Sequence, residues 1–502
     1  MKKTIIISLI ASIAFSLISC EGDLVPKVSN RLSALDFPKT EEDYKLIVTG
    51  VYSQFRYDNA WFRYSSDPNS RLILGEIGTD ELYISWSWCQ EPQKNFEFNP
   101  GYDLFNQFYN KMIPSVTKAT YALALLSSAK FSDETIKKQY IAEVKCCRAM
   151  WMYDLEGFYG PPPVVLDSAS VMNPLQTYFP PRLSDSAYLA FLEKDLTSAI
   201  RDLPIQYPIN IDYGRFTKGA AASILMKLYM RHKEFAKAEL ISREILSYGY
   251  KLESDYAKIW DINNEKNGEL IFVLPASSEE ITANSNIYRA HVLPGDWISM
   301  SGSKVVAYSG YRVPWSVYDK FDKTDTRLST LFKDYYIMKN GVPTLVDGRR
   351  TGRLRNGALP LKYGEDRKSD GLFTGNDVVL IRYADILLLR AEALNEINGL
   401  NQESIDLINQ IRNRAFQNNV AKLVTLAQFT SKEALRDYIL QERQFELLFE
   451  GERREDLIRQ GKYIQFAQAR GVTGAVDYKV RYPLPSSAII EGQGNIKQND
   501  GY

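Results

Sequence analysis

One stretch, RYADILLLRAEALNEINGLNQESIDLINQIRNRA from Arg382 to Ala415, constrains the fold more than any other. It reads as two helices joined by a tight turn. Ile386, Leu389, Ala393 and Ile397 recur at three- and four-residue spacing, so they share one helical face. Leu387, Ala391 and Leu394 widen that face, which predicts contact with more than one neighbour. Gly399 ends the first helix, because glycine takes up positive-φ backbone without a Cβ penalty. Asn401 caps the second by accepting from an orphan backbone N–H. Ile405, Ile408, Ile411 and Ala415 continue the apolar face, and the small Ala391, Ala393 and Ala415 permit close helix approach. The stretch has the length of one tetratricopeptide-type unit, roughly 34 residues. Such a hairpin buries its face only by stacking on others, so the chain is expected to contain more of them.

The remaining periodicity supplies them. A helix is predicted over residues 40–57, with Tyr44, Ile47, Val51 and Phe55 on one face. Residues 103–128 and 133–159 form a second hairpin, in which Tyr140, Val144, Cys147 and Trp151 align. Gly157, Gly160 and Pro161 stop it, since proline cannot continue the hydrogen-bond ladder. Residues 184–203 read as a helix capped by Ser184. Residues 217–231 and 234–248 make another hairpin. A last pair is predicted over 430–450 and 452–460. Ile439, Phe445, Leu448 and Phe449 are its core candidates. Arg443, Glu446, Arg453, Arg454 and Asp456 are expected to form an ion-pair network on and between these helices, with structural pairing preferred over acid–base catalysis. Two regions differ, 58–102 and 249–381. There glycine, proline and aromatics rise, and only Glu269 to Leu274 and Asp377 to Tyr383 suggest strands. Arg349, Arg350, Arg353 and Arg355 cluster in a glycine-containing loop read as a solvated turn.

Composition narrows the function. Of 502 residues, 45% are hydrophobic and 24% charged, enough for a large core. Lys+Arg 61 balance Asp+Glu 61, so no global field attracts nucleic acid. Only four cysteines and two histidines are present. Cys89, Cys146 and Cys147 have neither zinc spacing nor a disulfide framework, and the last two read as core. His232 and His291 read as structural. No His-rich metal motif, GxSxG elbow, P-loop or strand-linked GxGxxG occurs. No catalytic residue, metal or cofactor is therefore expected.

The first residues, MKKTIIISLIASIAFSLISC, join Lys2 and Lys3 to an apolar run too short to span a bilayer, the pattern of an export signal. Leu17-Ile18-Ser19-Cys20 resembles a lipobox, which implies removal of residues 1–19 and lipid on Cys20. Several acyl chains hold a protein stably to a membrane where one does not. Residues 20–38 read as a tether, and 39–502 as one domain.

In order, the lipobox, CCRAMWMYDLEGFYGPPPVV, GRFTKGAAASILMKLYM, NGELIFVL, RYADILLLRAEALNEINGL, LINQIRNRA, ERQFELLFEGERREDLIRQGKY and YPLPSSAII…IKQNDGY resemble the SusD/RagB family of outer-membrane nutrient-binding lipoproteins. The resemblance runs through nearly the whole chain. It implies a mostly α fold with about four tetratricopeptide-like helix pairs, mainly over 40–57, 103–248 and 382–460. A loop-rich part with short strands, mainly 58–102 and 249–381, would carry the ligand site. It implies a non-enzymatic protein anchored in the outer membrane and facing the exterior. Such a protein captures an oligosaccharide or polysaccharide and delivers it to a SusC-like TonB-dependent transporter.

The chemistry agrees. A sugar ring offers a C–H face to an aromatic ring and a hydroxyl rim to polar side chains. A few stacking rings, each worth about 1–3 kcal/mol of burial, leave modest affinity after ordering costs. That suits a protein that hands its ligand on. Trp86 and Trp88 would form a platform if their segment is extended. Trp61, Trp297, Tyr311 and Trp315 fall in stretches predicted as loops, whereas Trp151 and Trp260 fall in helix-like contexts and read as core. The stacking candidates are Trp86, Trp88, Trp297 and Trp315, with Asn95 and Asp296 as hydroxyl partners. Three alternatives compete: peptide ligands in the same role, a helical-repeat scaffold that only holds other proteins, and a surface glycoside hydrolase, which needs a paired carboxylate cleft.

Overall fold

The stacking demanded by the central hairpin is met by a run of antiparallel helices. The computed structural model describes residues 37–57, 61–173, 179–208, 212–278 and 285–502. The expected export signal, Cys20 and the expected tether through residue 36 lie outside the described residues. Contacts divide the chain into two units, Met1–Leu46 and Ile47–Tyr502. In the first, Thr40 Oγ1 accepts from Asp43 N at 3.2 Å while Asp43 Oδ2 accepts from Thr40 N at 2.8 Å. This reciprocal cap starts helix α1 (Glu41–Tyr52). The helix is shorter than its periodicity suggests, because Ser53–Phe55 tighten into a 3-10 turn and Arg56–Tyr57 become extended.

The scaffold follows as α2 (Asp103–Ser128), α3 (Glu134–Tyr159), α4 (Asp185–Asp202), α5 (Lys218–Arg231), α6 (Phe235–Ser247), α7 (Tyr383–Asn398), α8 (Gln402–Ala415), α9 (Lys432–Glu446) and α10 (Arg453–Arg459). Each packs on the next from α2 to α8, and α7 also packs on α9. The starts are chemically marked. Asp133, Ser184, Thr217, Asn401 and Ser431 each accept from a first-turn N–H. Gly399 ends α7 at φ 70°.

Helix α7 is buried nearly all round, as its wide stripe predicts. Leu387, Leu388, Ala391 and Leu394 join Ile405, Ile408, Ile411, Leu435 and Ile439 in one core. Ile386, Leu389 and Ala393 are also buried. Ile397 departs from expectation: it is 46% exposed, in the final turn before Gly399. Replacing Asn401 with Ala is expected to destabilise the protein by about 1 kcal/mol, read as a lower denaturation midpoint, because Ser404 N loses its 2.9 Å acceptor.

The last predicted pair also ends early. Helix α9 stops at Glu446 because Phe449 (φ 59°) and Gly451 (φ 80°) turn the chain back, so that Glu450 meets Arg382 and Lys362. The expected ion-pair network exists but reaches much further than the two helices. Arg443 does bridge α9 to α10 through Asp456 at 2.7 Å, and it also holds Asp385 of α7. Glu446 instead meets Arg382, Arg414 and Arg327. Arg453 holds Asp80 at 2.9 Å. Arg454 pairs with no carboxylate among the described residues; it donates to Gly157 O and Val480 O and lies over Tyr482.

The two strands expected from ELIFVL and from residues 377–383 are present and pair with each other. Strand Leu270–Leu274 runs antiparallel to Val378–Arg382, with Leu270 opposite Arg382. The register sets the Arg382 guanidinium 2.8 Å from Glu269. It thereby joins the loop-rich part to the base of α7.

Candidate ligand cleft

Two pairs of short strands frame the cleft. Strand β1 (Tyr83–Ile84) pairs antiparallel with β2 (Tyr311–Arg312), which places Tyr83 opposite Arg312. The hairpin β3 (Asp334–Lys339) and β4 (Val342–Asp347) turns through Asn340 and Gly341, both at positive φ. Asn-Gly between alternating strands is a strong hairpin signal, and it lies within the stretch expected to be loop-rich. Along β3, Tyr335 and Ile337 are buried while Tyr336 and Met338 face outward. Ile337 bridges Trp297, and Ile298 N donates to Tyr336 O at 2.9 Å.

Between these strands lies a cleft of about 440 Å³. Tyr83, Asp296, Arg312, Tyr335, Arg353 and Asn356 supply most of its chemistry. Tyr335 donates to Asp296 Oδ1 at 3.0 Å, and Arg353 closes on the other carboxylate oxygen. Burial, reinforced by the Asp296 contact, pushes the Tyr335 phenol up to about 12, so it stays a neutral donor. Arg312 is 7% exposed and pairs with no carboxylate among the described residues. It donates to Val292 O at 2.9 Å, and burial pushes it down to about 10. At neutral pH it therefore remains a cation with donors beside the cleft. The wall thus combines aromatic rings, arginine forks and one carboxylate, and it suits a neutral polyhydroxylated ligand.

The residues singled out from sequence are distributed around this region. Asp296 lines the cleft. Trp297, next to it, is half-buried with Arg289 over its ring at 5.8 Å. Trp86 follows Ser85 of the cleft wall but is itself wedged: its ring meets His291 and Tyr311 edge-on, and its Nε1 donates to Tyr308 O at 3.1 Å. A Cβ on Gly310 would lie 2.5 Å from that indole. The extended geometry that would align Trp86 with Trp88 does not form, because Ser87–Cys89 make a 3-10 turn stabilised by Cys89 N donating to Trp86 O. Trp88 is instead 63% exposed. Trp315 donates Nε1 to Leu354 O at 2.9 Å, and Arg349 covers its ring at 4.4 Å. Asn95 ends a short helix, bonded to Glu91, and does not line the cleft. Tyr311, placed in a loop by the sequence reading, is a fully buried strand residue. Trp61 likewise belongs to a two-residue strand.

Two bland readings also have structural outcomes. His291 is buried, accepts or donates at Ser66, and is pushed down to about 4 by burial, which leaves it neutral. His232 caps α5 and meets Glu156 at 2.8 Å. The Arg349–Arg355 loop is more than a solvated turn, since Arg349 pairs with Asp319 and Arg353 with Asp296. Among the described residues no group of His, Cys, Asp and Glu could hold a metal ion, and no helix is long and apolar enough to cross a membrane.

Comparison with known proteins places this architecture. Residues 311–502 match the SusD family. SusD-like protein P38 of Formosa agariphila is 24% identical over 96% of both chains. The starch-binding protein SusD of Bacteroides thetaiotaomicron is 23% identical over 85% of this chain and 84% of its own. Surface glycan-binding protein A of Bacteroides thetaiotaomicron, solved with laminarihexaose, superposes with a TM-score of 0.75 at 18% identity, over 92% of this chain and 100% of that one. Residues 311–502 thus carry the SusD family match, and the chain as a whole is similar to SusD-like proteins, the starch-binding SusD among them. It has the mostly helical SusD-like fold.

Proposed function

We propose that the protein captures oligosaccharides at the cell surface and passes them to a SusC-like TonB-dependent outer-membrane transporter. The observation that carries the reading is the cleft at Asp296, where Tyr83 and Tyr335 stand beside Arg312, Arg353 and Asn356 in a SusD-like fold. Two relatives support the ligand class: one is described as starch-binding, and another was solved with laminarihexaose. In this reading Asp296 and its arginine neighbours hold the hydroxyl rim. Trp88, three residues beyond Ser85, and Trp297, beside Asp296, supply apolar faces. Trp86 and Trp315 support the walls. Cys20 carries the lipid that keeps the protein on the outer membrane.

The test uses the chain from Glu21, without lipid, titrated calorimetrically with α- and β-glucan oligosaccharides and with peptides. Saturable binding of one glucan class without release of reducing ends is expected. Asp296→Ala and Trp88→Ala should each weaken it about tenfold, the equivalent of 1–2 kcal/mol of lost contact. Binding of peptides alone, turnover of any glycan, or affinity untouched by both substitutions would overturn the proposal.

A further inference from the structure

A second concavity lies away from the residues discussed so far. It is about 250 Å³ in volume and sits where the α4–α5 connection, the end of α6 and the segment entering strand Leu270–Leu274 converge. Four half-buried tyrosines line it: Tyr207, Tyr213, Tyr248 and Tyr250. None of these was singled out by periodicity, because they come from two separate connections, the one between α4 and α5 and the one that follows α6.

The polar groups are arranged in an unusual way. The Tyr207 Oη is buried without a hydrogen-bond partner among the described residues. A buried hydroxyl left unpaired costs about 1–3 kcal/mol, so this atom is poised for an external partner. The Tyr207 ring is held in place by the Arg215 guanidinium at 4.3 Å. Arg215 in turn is fixed and neutralised by Glu143 and Asp212. Tyr213 Oη lies 2.6 Å from Glu265 O and 2.7 Å from Asp377 Oδ2, which locks the second ring. Lys266 Nζ reaches over that ring at 5.2 Å. Tyr250 Oη and Thr217 Oγ1 stand 3.5 Å apart at the side of the cleft. Burial, with the Asp377 carboxylate beside it, pushes Glu265 up to about 8, so at neutral pH this carboxyl is largely protonated.

The charges here are thus already paired or suppressed, while aromatic faces and hydroxyls remain. A charged ligand would find no unmatched countercharge except Lys266. A pyranose ring, apolar on its face and hydroxylated on its rim, matches both features. The volume falls just below the range of about 300–1,000 Å³ typical of drug-sized sites, so it fits a short saccharide. We infer that this tyrosine-lined cleft is a second saccharide site, taking one or two neutral sugar rings and distinct from the Asp296 cleft. It does not depend on which ligand the Asp296 cleft holds.

Gly268 provides a steric test. It lines the cleft, its φ is ordinary, and a Cβ there would meet only Lys251 atoms at 3.8–3.9 Å. A Cβ is therefore tolerated at this position, which makes a large side chain there a steric probe of the cleft. Glucose, maltose and laminaribiose would be titrated by saturation-transfer NMR and calorimetry against the full mature chain. The same titrations would use Gly268→Trp, Tyr207→Phe and the double variant Asp296→Ala/Trp88→Ala. The expected result is saturable binding of a mono- or disaccharide that persists in the double variant. It should weaken at least about tenfold in Gly268→Trp and severalfold in Tyr207→Phe, with unchanged melting. If Gly268→Trp folds poorly, Tyr207→Phe carries the test, since it removes one oxygen only. No saccharide binding, binding indifferent to Tyr207→Phe and Gly268→Trp, loss of binding in the double variant, or a preference for a charged ligand would each overturn the inference. A failure here leaves oligosaccharide capture at Asp296 standing, because that reading is scored on longer glucans with Asp296→Ala and Trp88→Ala taken singly.

Discussion

Glu446→Gln is expected to destabilise the protein by about 3–5 kcal/mol, the cost of leaving buried charge uncompensated. Glu446 is fully buried, and its carboxylate serves Arg382, Arg414 and Arg327 together. Glutamine keeps the shape and removes the charge, so three enclosed guanidinium groups lose a shared counterion. The denaturation midpoint should fall with little change in slope. By contrast, Asp319→Asn, which breaks the exposed pair with Arg349, should cost no more than about 1 kcal/mol. A Glu446→Gln protein as stable as the parent would show that the network contributes nothing net.

The same network predicts acid sensitivity. Burial alone would raise Glu446, but the three arginines overcome it and hold the carboxyl well below the usual range. Asp385, between Lys227 and Arg443, is held down in the same way. Each binds protons more weakly folded than unfolded. Their stabilisation is full above the unfolded value of about 4.3 or 3.9 and is lost as pH falls below it. Stability should therefore drop steeply below about pH 4 in the parent and less steeply in Glu446→Gln.

Gly75→Ala should be comparably severe for a different reason. Gly75 has an ordinary φ of −74°, so conformation is not the issue. A Cβ there would lie 2.2 Å from the Gly451 carbonyl oxygen, and Arg454 N donates to Gly75 O at 3.1 Å. Backbone meets backbone, so neither side has a rotamer to yield. The cost should approach or exceed the upper end of the usual 1–3 kcal/mol for overpacking. Gly50→Ala, inside α1 with nothing within 4 Å of the added carbon, should instead stabilise by roughly 0.5–1 kcal/mol. Opposite signs for the two substitutions in thermal melts would confirm that contact decides the outcome. Equal tolerance would refute it.

Much of the scaffold could be read locally. The helix starts at Glu134, Asp185, Lys218 and Gln402 follow directly from a capping residue and a 3.6-residue apolar repeat. The cleft was less legible. Of the two expected hydroxyl partners, Asp296 lines the cavity and Asn95 does not. Tyr83, Arg312 and Tyr335 were missed because nothing in their neighbourhoods distinguishes a cleft tyrosine from a core one. The Asn340-Gly341 turn was the one available signal for the hairpin that presents Tyr335.

The amino-acid sequence by itself determined the helical hairpins, their caps, and the short strands at 270–274 and 378–382, since these depend on residues a few positions apart. Only the tertiary structure decided which carboxylate meets which arginine. Arg453 finds Asp80 across 373 residues of chain, and no spacing rule reaches that far. It also decided which aromatic faces are free. Trp86 and Trp88 are chemically identical and two residues apart, yet one is wedged against His291 and the other is open to solvent. The reason is physical: backbone preference is local, whereas exposure and charge pairing are properties of what folds against a residue from elsewhere.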